Sequence, residues 1–76
     1  MEIEEEVRRL RLSAGNYAKL LKIFLKNPGL ARMVINQPKI LDLLLKYPKL
    51  ATRILQNPKM VDILVKSPKL VGRFLK

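Results

Sequence analysis

The chain has 76 residues, no cysteine, no histidine and a formal net charge of +10 at pH 7. This length predicts one small domain, and the missing residue types exclude disulfide bonds, thiolate metal sites and histidine-based catalysis. Apolar residues make up 49% of the chain, which favours a folded, helical protein over a disordered one.

The positive charge is unevenly distributed along the chain. Residues 1–15 contain four Glu and three Arg, a net charge of −1, whereas residues 16–76 contain ten Lys and three Arg against two Asp, a net charge of +11. Such a charge favours acidic proteins, nucleic acid or anionic lipid as partners, and it also keeps a hydrophobic protein soluble. No apolar run reaches the roughly 18 residues of a membrane span, and the acidic start is unlike a signal or transit peptide. We therefore expect a protein of the cytoplasm, or of an organelle stroma in its mature form, that is not secreted.

The first predicted element is an amphipathic helix at residues 2–11. Its apolar side holds Ile3, Val7 and Leu10. On its polar side Glu4 and Arg8, and likewise Glu5 and Arg9, stand four residues apart, so both pairs are expected to form ion pairs. The acids come first and the bases last, as the helix dipole favours.

A turn is predicted at residues 13–16, where the sequence reads SAGN. Gly15 suits a left-handed position after the first helix, and Ser13 or Asn16 suits the cap of the next one. This turn divides the chain into an N-terminal helix and turn, residues 1–15, and a repeat region, residues 16–76, which together form one fold unit.

A ten-residue repeat runs through the second part. Aligned on proline, the units PGLARMVINQ, PKILDLLLKY, PKLATRILQN, PKMVDILVKS and PKLVGRFLK begin at residues 28, 38, 48, 58 and 68. The segment AKLLKIFLKN, residues 18–27, fits the same frame with Ala18 in place of proline. We number the places within each unit one to ten. Places three, four, seven and eight are apolar and cover an arc of about 140° on a helix, so each unit is predicted to be a two-turn amphipathic helix.

Proline at place one explains why the helices are short. Ten residues turn a continuous helix by about 1000°, so its apolar face would rotate by about 80° from one unit to the next. Proline needs no partner for a first-turn N–H and ends the preceding helix, which lets each new apolar face turn inward. At place ten, Asn27, Asn57 and Ser67 are expected to cap the following helix, whereas Gln37 and Tyr47 are poor caps.

The predicted fold is therefore all-α, with six or seven short helices started by proline at a ten-residue period. It would form a compact hand or a short α-solenoid. A weaker alternation at a period of twenty, at places five and six, suggests inner and outer helices.

Lysine follows proline in four units, at Lys39, Lys49, Lys59 and Lys69. The helix dipole disfavours a cation in the first turn by a few tenths of a kcal/mol, so helix stability does not explain these residues. Solubility is one explanation and an anionic partner is the other. In the second case these four lysines would form the rim that such a partner contacts.

Catalysis is the least supported class of function. Ser13 and Ser67 have no histidine base, and the three isolated glycines form no phosphate-binding loop. Asp42 and Asp62 are expected to be surface charges on equivalent helices. We expect no enzyme activity, no cofactor and no metal site.

Units of the form Asn-Pro-x-apolar-apolar-x-x-apolar-apolar resemble the client-binding modules of co-chaperones. The matching stretches are NPGLA at residues 27–31, NPKMV at 57–61 and, more loosely, SPKLV at 67–71, and the resemblance covers residues 27–76. The families are the Asp-Pro domains of Hop-type organisers, the Asn-Pro-rich segments of ubiquilins and the Asn-Pro domain of the chloroplast import co-chaperone. The resemblance implies a helical hand with a hydrophobic groove for client segments. Those families usually carry Glu, Gln or Asp after the proline, so lysine there implies a changed preference for client charge.

The implied groove would bind an amphipathic helix or hydrophobic peptide, which could be acidic, or a second copy of the chain. By position, it would be lined by Leu30, Val34, Leu44, Ile54, Met60, Leu64 and Leu70. One alternative is a basic module that binds nucleic acid or another anionic surface, although stacking aromatics and a helix-turn-helix motif are missing. A second alternative is a designed or consensus-like repeat protein with no activity beyond folding or self-association.

Overall fold

Short helices follow one another closely through residues 2–75, the part of the chain that this computed structural model describes. They are α1 (Ile3–Arg9), α2 (Ala14–Lys26), α3 (Pro28–Val34), α4 (Pro38–Lys46), α5 (Leu50–Gln56), α6 (Met60–Lys66) and α7 (Val71–Phe74). A 3₁₀ helix, Pro68–Leu70, directly precedes α7. No strand lies within residues 2–75. The predicted all-α class with six or seven helices is confirmed over these described residues. The predicted start at proline holds for α3, α4 and the 3₁₀ helix, whereas α5 and α6 begin two residues after proline and α2, with 13 residues, is longer than predicted.

The breaks between helices are held by main-chain hydrogen bonds. At all five, the carbonyl oxygen of place ten accepts from the N–H of place three in the next unit, at 2.9 to 3.0 Å. The donor and acceptor residues are Leu30 and Asn27, Ile40 and Gln37, Leu50 and Tyr47, Met60 and Asn57, and Leu70 and Ser67. The N–H of place ten bonds back to the preceding helix. Place ten itself lies outside the α region, with φ from −143° to −118°, as expected of a residue before proline.

The predicted side-chain caps at place ten are wrong. Asn27 and Ser67 make no side-chain hydrogen bond to the following helix. Asn57 does not occupy the cap position, because α6 begins at Met60 and is preceded by Lys59. Instead, Nδ2 of Asn27 donates backwards to the carbonyl oxygen of Ile23 at 2.9 Å. Since the main-chain carbonyl of place ten already receives the place-three N–H, the break forms without a side-chain cap.

The predicted turn at residues 13–16 is also wrong, because α2 begins at Ala14 and contains Gly15. Ser13 does cap α2, with its Oγ accepting from the N–H of Asn16 at 3.3 Å. The left-handed position after α1 is taken by Arg11, with φ of 54°. The connection between the helices, residues 10–13, therefore lies three residues earlier than predicted, and the division between residues 15 and 16 falls inside α2.

Helix α1 packs against α2, with Val7 fully buried between α1 and the rest of the chain. Within residues 2–75 the ion pair along α1 joins Arg9 to Glu6 at 3.2 Å, so the bridge forms at i,i+3 and not at the predicted i,i+4 spacing. The Tyr17 hydroxyl beside Arg8 raises the pKa of that guanidinium, and the Glu4 carboxylate adds to the effect. Both interactions lie on exposed surface and contribute little to stability.

The core is built mainly from places three, four and seven. Side chains with no exposed surface include Leu20, Phe24, Leu30, Val34, Ile40, Leu44, Leu50, Ile54 and Leu64. Place eight is more exposed, and two of its residues, Leu25 and Leu55, are 60% and 40% exposed. The side of these helices that faces the core is therefore centred closer to place three than to place eight. Burying each large aliphatic side chain stabilises the fold by about 1.5–3 kcal/mol.

Helix α4 lies at the centre of the array. It contacts α2, α3, α5, α6 and the 3₁₀ helix, and α3 and α5 also contact each other. Helices two units apart are thus in contact, and the predicted inner and outer helices at period twenty stay a prediction. The radius of gyration of 11.5 Å matches the value of about 11.4 Å for a compact chain of this length. The helices therefore close around a shared core, as a compact hand does. None of the helices in residues 2–75 has both the length and the apolar character needed to cross a bilayer.

Candidate functional site: a lysine-lined cleft

The residues predicted to line a hydrophobic groove lie mostly inside the core. Leu30, Val34, Leu44, Ile54 and Leu64 have no exposed surface, Met60 is 4% exposed and Leu70 is half-buried. All seven occupy places three and seven, which point inward because the helices close around α4. The prediction that these residues line an open groove is therefore wrong for this structure: they hold the helices together.

The four lysines predicted as an anionic-partner rim are all exposed. Lys49 lines a surface cleft at the break between α4 and α5. Lys39, Lys59 and Lys69 are not among the lining residues of that cleft or of two others on the surface. The four positions lie near the starts of successive helices, and the structure does not gather them around one cleft.

One surface cleft lies between the C-terminal half of α2 and the start of α5. Its volume is about 370 Å³, and its lining residues are Lys19, Lys22, Ile23, Lys26, Asn27, Pro48, Ala51 and Thr52. The three lysines form a basic wall, while Ile23, Pro48 and Ala51 supply apolar surface. We call it the lysine cleft.

A small residue on α5 makes room for the lysine cleft. Ala51 occupies place four, where α4 carries Leu41 and α6 carries Val61. Ala51 is 4% exposed, so its methyl group belongs to the core and still borders the cleft. A larger side chain at this place would extend toward α2 and fill part of the space that Ala51 leaves.

The basic wall of the lysine cleft follows from the spacing of its side chains. Lys19, Lys22 and Lys26 stand at i, i+3 and i+7, so they project from one face of α2. They are exposed, and α2 contains no Asp or Glu to pair with them. Each like-charged pair at i,i+3 or i,i+4 destabilises a helix by about 0.2–0.5 kcal/mol. Helix stability alone thus does not favour three lysines here.

The end of α2 is held in place at the edge of the cleft. Besides its side-chain bond, Asn27 donates its main-chain N–H toward the carbonyl oxygens of Ile23 and Phe24, both at 3.1 Å. These bonds fix the last turn of α2 and hence the direction in which Lys26 leaves the helix. The Ile23 side chain and the backbone of Lys26 are therefore held at the edge of the cleft.

Two further clefts are lined by basic residues. One, of about 240 Å³, lies at the break between α4 and α5 and is lined by Lys46, Tyr47, Pro48, Lys49 and Leu75. We call it the tyrosine cleft. The other, of about 450 Å³, lies where α1 meets α2 and is lined by Arg8, Arg11, Leu12, Ala14 and Tyr17. No carboxylate is among the lining residues of any of the three clefts.

Sequence reasoning missed the basic wall, although a signal for it is present. The unit at residues 18–27 is the one unit with lysine at all three polar places two, five and nine. The sequence alone assigns no role to Lys19 and Lys22, and the helix dipole is enough to explain Lys26. The side of the cleft that α5 forms is more than twenty residues away from α2 in the chain. The pattern within α2 could therefore not show which residues lie opposite it.

The groups around the lysine cleft are amines, one amide and one hydroxyl, and they suit the binding of anions beside apolar surface. Within residues 2–75 no three side chains among Asp, Glu, His and Cys are grouped so as to hold a metal ion. Comparison of the chain with protein-family models, curated proteins and solved structures gives no match in any of the three. The resemblance to co-chaperone modules therefore stays a prediction.

Proposed function

We propose that this protein is a non-enzymatic interaction module that binds an acidic, amphipathic segment of a partner protein in the lysine cleft. The observation that carries this proposal is the basic wall of Lys19, Lys22 and Lys26 beside the apolar surface of Ile23 and Ala51. Carboxylates of the partner would pair with the lysines, and an aliphatic side chain would fill the space beside Ala51.

A helical partner segment matches this geometry well. Three acids at i, i+3 and i+7 on a partner helix project from one face, as the three lysines of α2 do. Short apolar side chains on the adjoining face of that segment would meet the apolar surface of the cleft, in the manner of helix-in-groove recognition. Basic segments would be rejected by like-charge repulsion.

The resemblance to co-chaperones fits this proposal with one change of surface. A client would contact the outside of the array beside place five and place six of α2, and not the buried residues at places three and seven. Basic side chains along this surface would favour acidic clients. The module would hold such segments without altering them.

Nucleic acid is the second candidate, favoured by the net charge of +11 in residues 16–76. A phosphate backbone would contact exposed lysines over much of the surface, and binding would fall steeply with salt. The lysine cleft has no aromatic side chain on which a base could stack. Its apolar surface would then have no role, which is why we favour a protein segment.

The test is a fluorescence anisotropy titration with a synthetic amphipathic helix of about fifteen residues. Its glutamates stand at i, i+3 and i+7, with leucines on the adjoining face, and a second peptide has glutamine in place of each glutamate. We expect saturable binding of the acidic peptide at physiological salt and at least about tenfold weaker binding of the glutamine peptide, a difference of about 1.4 kcal/mol.

Two charge-reversal variants locate the site. Lys22→Glu changes the basic wall, and Lys59→Glu changes an exposed lysine outside the three clefts, so both lower the net charge equally. We expect Lys22→Glu to weaken peptide binding about tenfold or more and Lys59→Glu to change it less than about twofold, because surface charges interact mainly within about 10 Å at 0.1 M salt. Equal losses for both variants, or a DNA duplex that binds more tightly than the peptide, would overturn the proposal.

A further inference from the structure

The lysine cleft and the tyrosine cleft meet at one residue. Pro48 lines both of them, and it is exposed at the break between α4 and α5. The two clefts are therefore neighbouring parts of one surface on either side of Pro48. Together their walls contain five lysines and no carboxylate.

The tyrosine cleft has a different chemistry from its neighbour. Tyr47 is 41% exposed, and Lys46 and Lys49 stand on either side of its break, with Leu75 from the end of the described chain closing the wall. Tyr47 is the one aromatic residue at place ten, where the other units carry Asn, Gln or Ser. An aromatic ring with a hydroxyl at its edge binds apolar side chains and can also accept or donate a hydrogen bond.

The main-chain bonds at this break do not depend on the Tyr47 side chain. Its main-chain carbonyl oxygen accepts a hydrogen bond from the N–H of Leu50 at 2.9 Å, and its N–H donates to the carbonyl oxygen of Leu43 at 2.7 Å. Any residue tolerated before proline could form these main-chain bonds, as Asn57 and Ser67 do at their own breaks. The exposed part of the ring is therefore available for contact with a partner.

We propose that the acidic partner segment extends past Pro48 and occupies both clefts at once. This inference rests on the proposed function and adds a second half to the motif that the protein recognises. The first half is the acidic amphipathic helix in the lysine cleft. The second half is an apolar side chain against Tyr47 and Leu75, with an acid next to it that pairs with Lys46 or Lys49.

Occupying both clefts with one chain makes the second contact intramolecular. The second half then needs no separate loss of translational freedom, so even a weak contact at Tyr47 raises the overall affinity. The partner specificity becomes narrower too, because an acidic helix without the apolar extension would bind only the first cleft. A protein with this surface would select among acidic segments by whether an apolar side chain is attached beyond the acids.

The test compares the acidic peptide with two longer versions, one extended at its N-terminus and one at its C-terminus. Each extension holds a flexible spacer, one phenylalanine and two glutamates, and matched peptides carry serine in place of the phenylalanine. We expect one of the two extensions to tighten binding about tenfold or more, within the range that linked sites reach, and its serine version to lose most of that gain.

Variants of the protein then place the added contact. Tyr47→Ser introduces serine, the residue that occupies place ten at Ser67. Leu55→Ser removes an exposed apolar side chain outside both clefts. Tyr47→Ser should abolish the gain from the extension and leave binding of the short peptide unchanged, whereas Leu55→Ser should change neither. Circular dichroism and thermal unfolding confirm that both variants are folded.

The results separate the two proposals. If neither extension tightens binding, or if the gain survives Tyr47→Ser, the bipartite site is wrong while the lysine cleft stands. If the short peptide does not bind, or binds equally well to Lys22→Glu, the proposed function is wrong. Loss of the extension gain in Tyr47→Ser, with sensitivity of the short peptide to Lys22→Glu, supports both.

Discussion

The side-chain amide of Asn27 donates a hydrogen bond to the main-chain carbonyl oxygen of Ile23 over 2.9 Å. Both residues also line the lysine cleft. This bond therefore reinforces the last turn of α2 at the edge of the candidate binding surface. Asn57 occupies the same place ten at the end of α5, but it is exposed and its side chain makes no such bond.

The first prediction compares these two asparagines. Asn27→Ala removes the hydrogen bond to Ile23 and should lower the free energy of unfolding by about 0.5–1.5 kcal/mol. Asn57→Ala removes no side-chain hydrogen bond and should change it by less than about 0.5 kcal/mol. Urea unfolding followed by circular dichroism measures both. Equal losses would mean that asparagine stabilises this place by another route, such as its preference for the conformation before proline.

The second prediction separates stability from binding at the basic wall. Lys22→Glu replaces two repulsions, with Lys19 and Lys26, by two attractions, each worth about 0.2–0.5 kcal/mol. The free energy of unfolding should rise by about 1 kcal/mol at low salt, and the melting temperature by about 4–8 °C. The gain should shrink in high salt, because the charges are exposed. A destabilised Lys22→Glu variant would show that the lysine stem packs against the helix.

The third prediction concerns the connection between α1 and α2. Arg11 has a left-handed conformation that costs a residue with a Cβ atom about 1–2 kcal/mol, whereas Gly15 is helical and a Cβ added there would meet no atom within 4 Å. Arg11→Gly and Gly15→Ala should therefore each stabilise the protein, by about 0.5–1 kcal/mol. Thermal unfolding of the two variants and of their combination measures this. If Gly15 were the left-handed residue, as its place in the sequence predicts, Gly15→Ala would destabilise the protein instead.

The fourth prediction tests whether the residues at places three and seven form the core. Leu64 is fully buried, so Leu64→Ala should cost about 2–5 kcal/mol, enough to unfold much of so small a domain. Leu25 is 60% exposed, so Leu25→Ala should cost less than about 1 kcal/mol. Chemical denaturation curves of both variants provide the comparison. Similar small losses would indicate that Leu64 faces an open groove after all.

The helices and their breaks could be predicted because their causes are local. Proline at the start of each unit ends the preceding helix, and the apolar residues at four places determine which side is apolar. It was harder to predict which of the four apolar places face the core. On a helical wheel places three and eight both belong to one apolar face, yet Leu50 is buried and Leu55 is 40% exposed. That difference depends on how the helices close around α4, which no single unit encodes.

The lysine cleft could be predicted only in part. Its basic wall can be found in one unit, from the spacing of Lys19, Lys22 and Lys26. Its opposite side cannot, because Pro48 and Ala51 come to α2 through the packing of the whole array. The small size of Ala51 is visible in the sequence, but it gains meaning only when the neighbouring helix is known.

The main-chain bonds at place ten have a consequence for how this sequence could change. At the four breaks other than the one at Asn27, the backbone alone connects consecutive helices, so these four place-ten positions are available for new side chains at little cost in folding. Asparagine, glutamine, tyrosine and serine already occupy them. Selection or an experimenter could exchange these residues to alter the partners that the surface recognises, and the helical framework would remain the same.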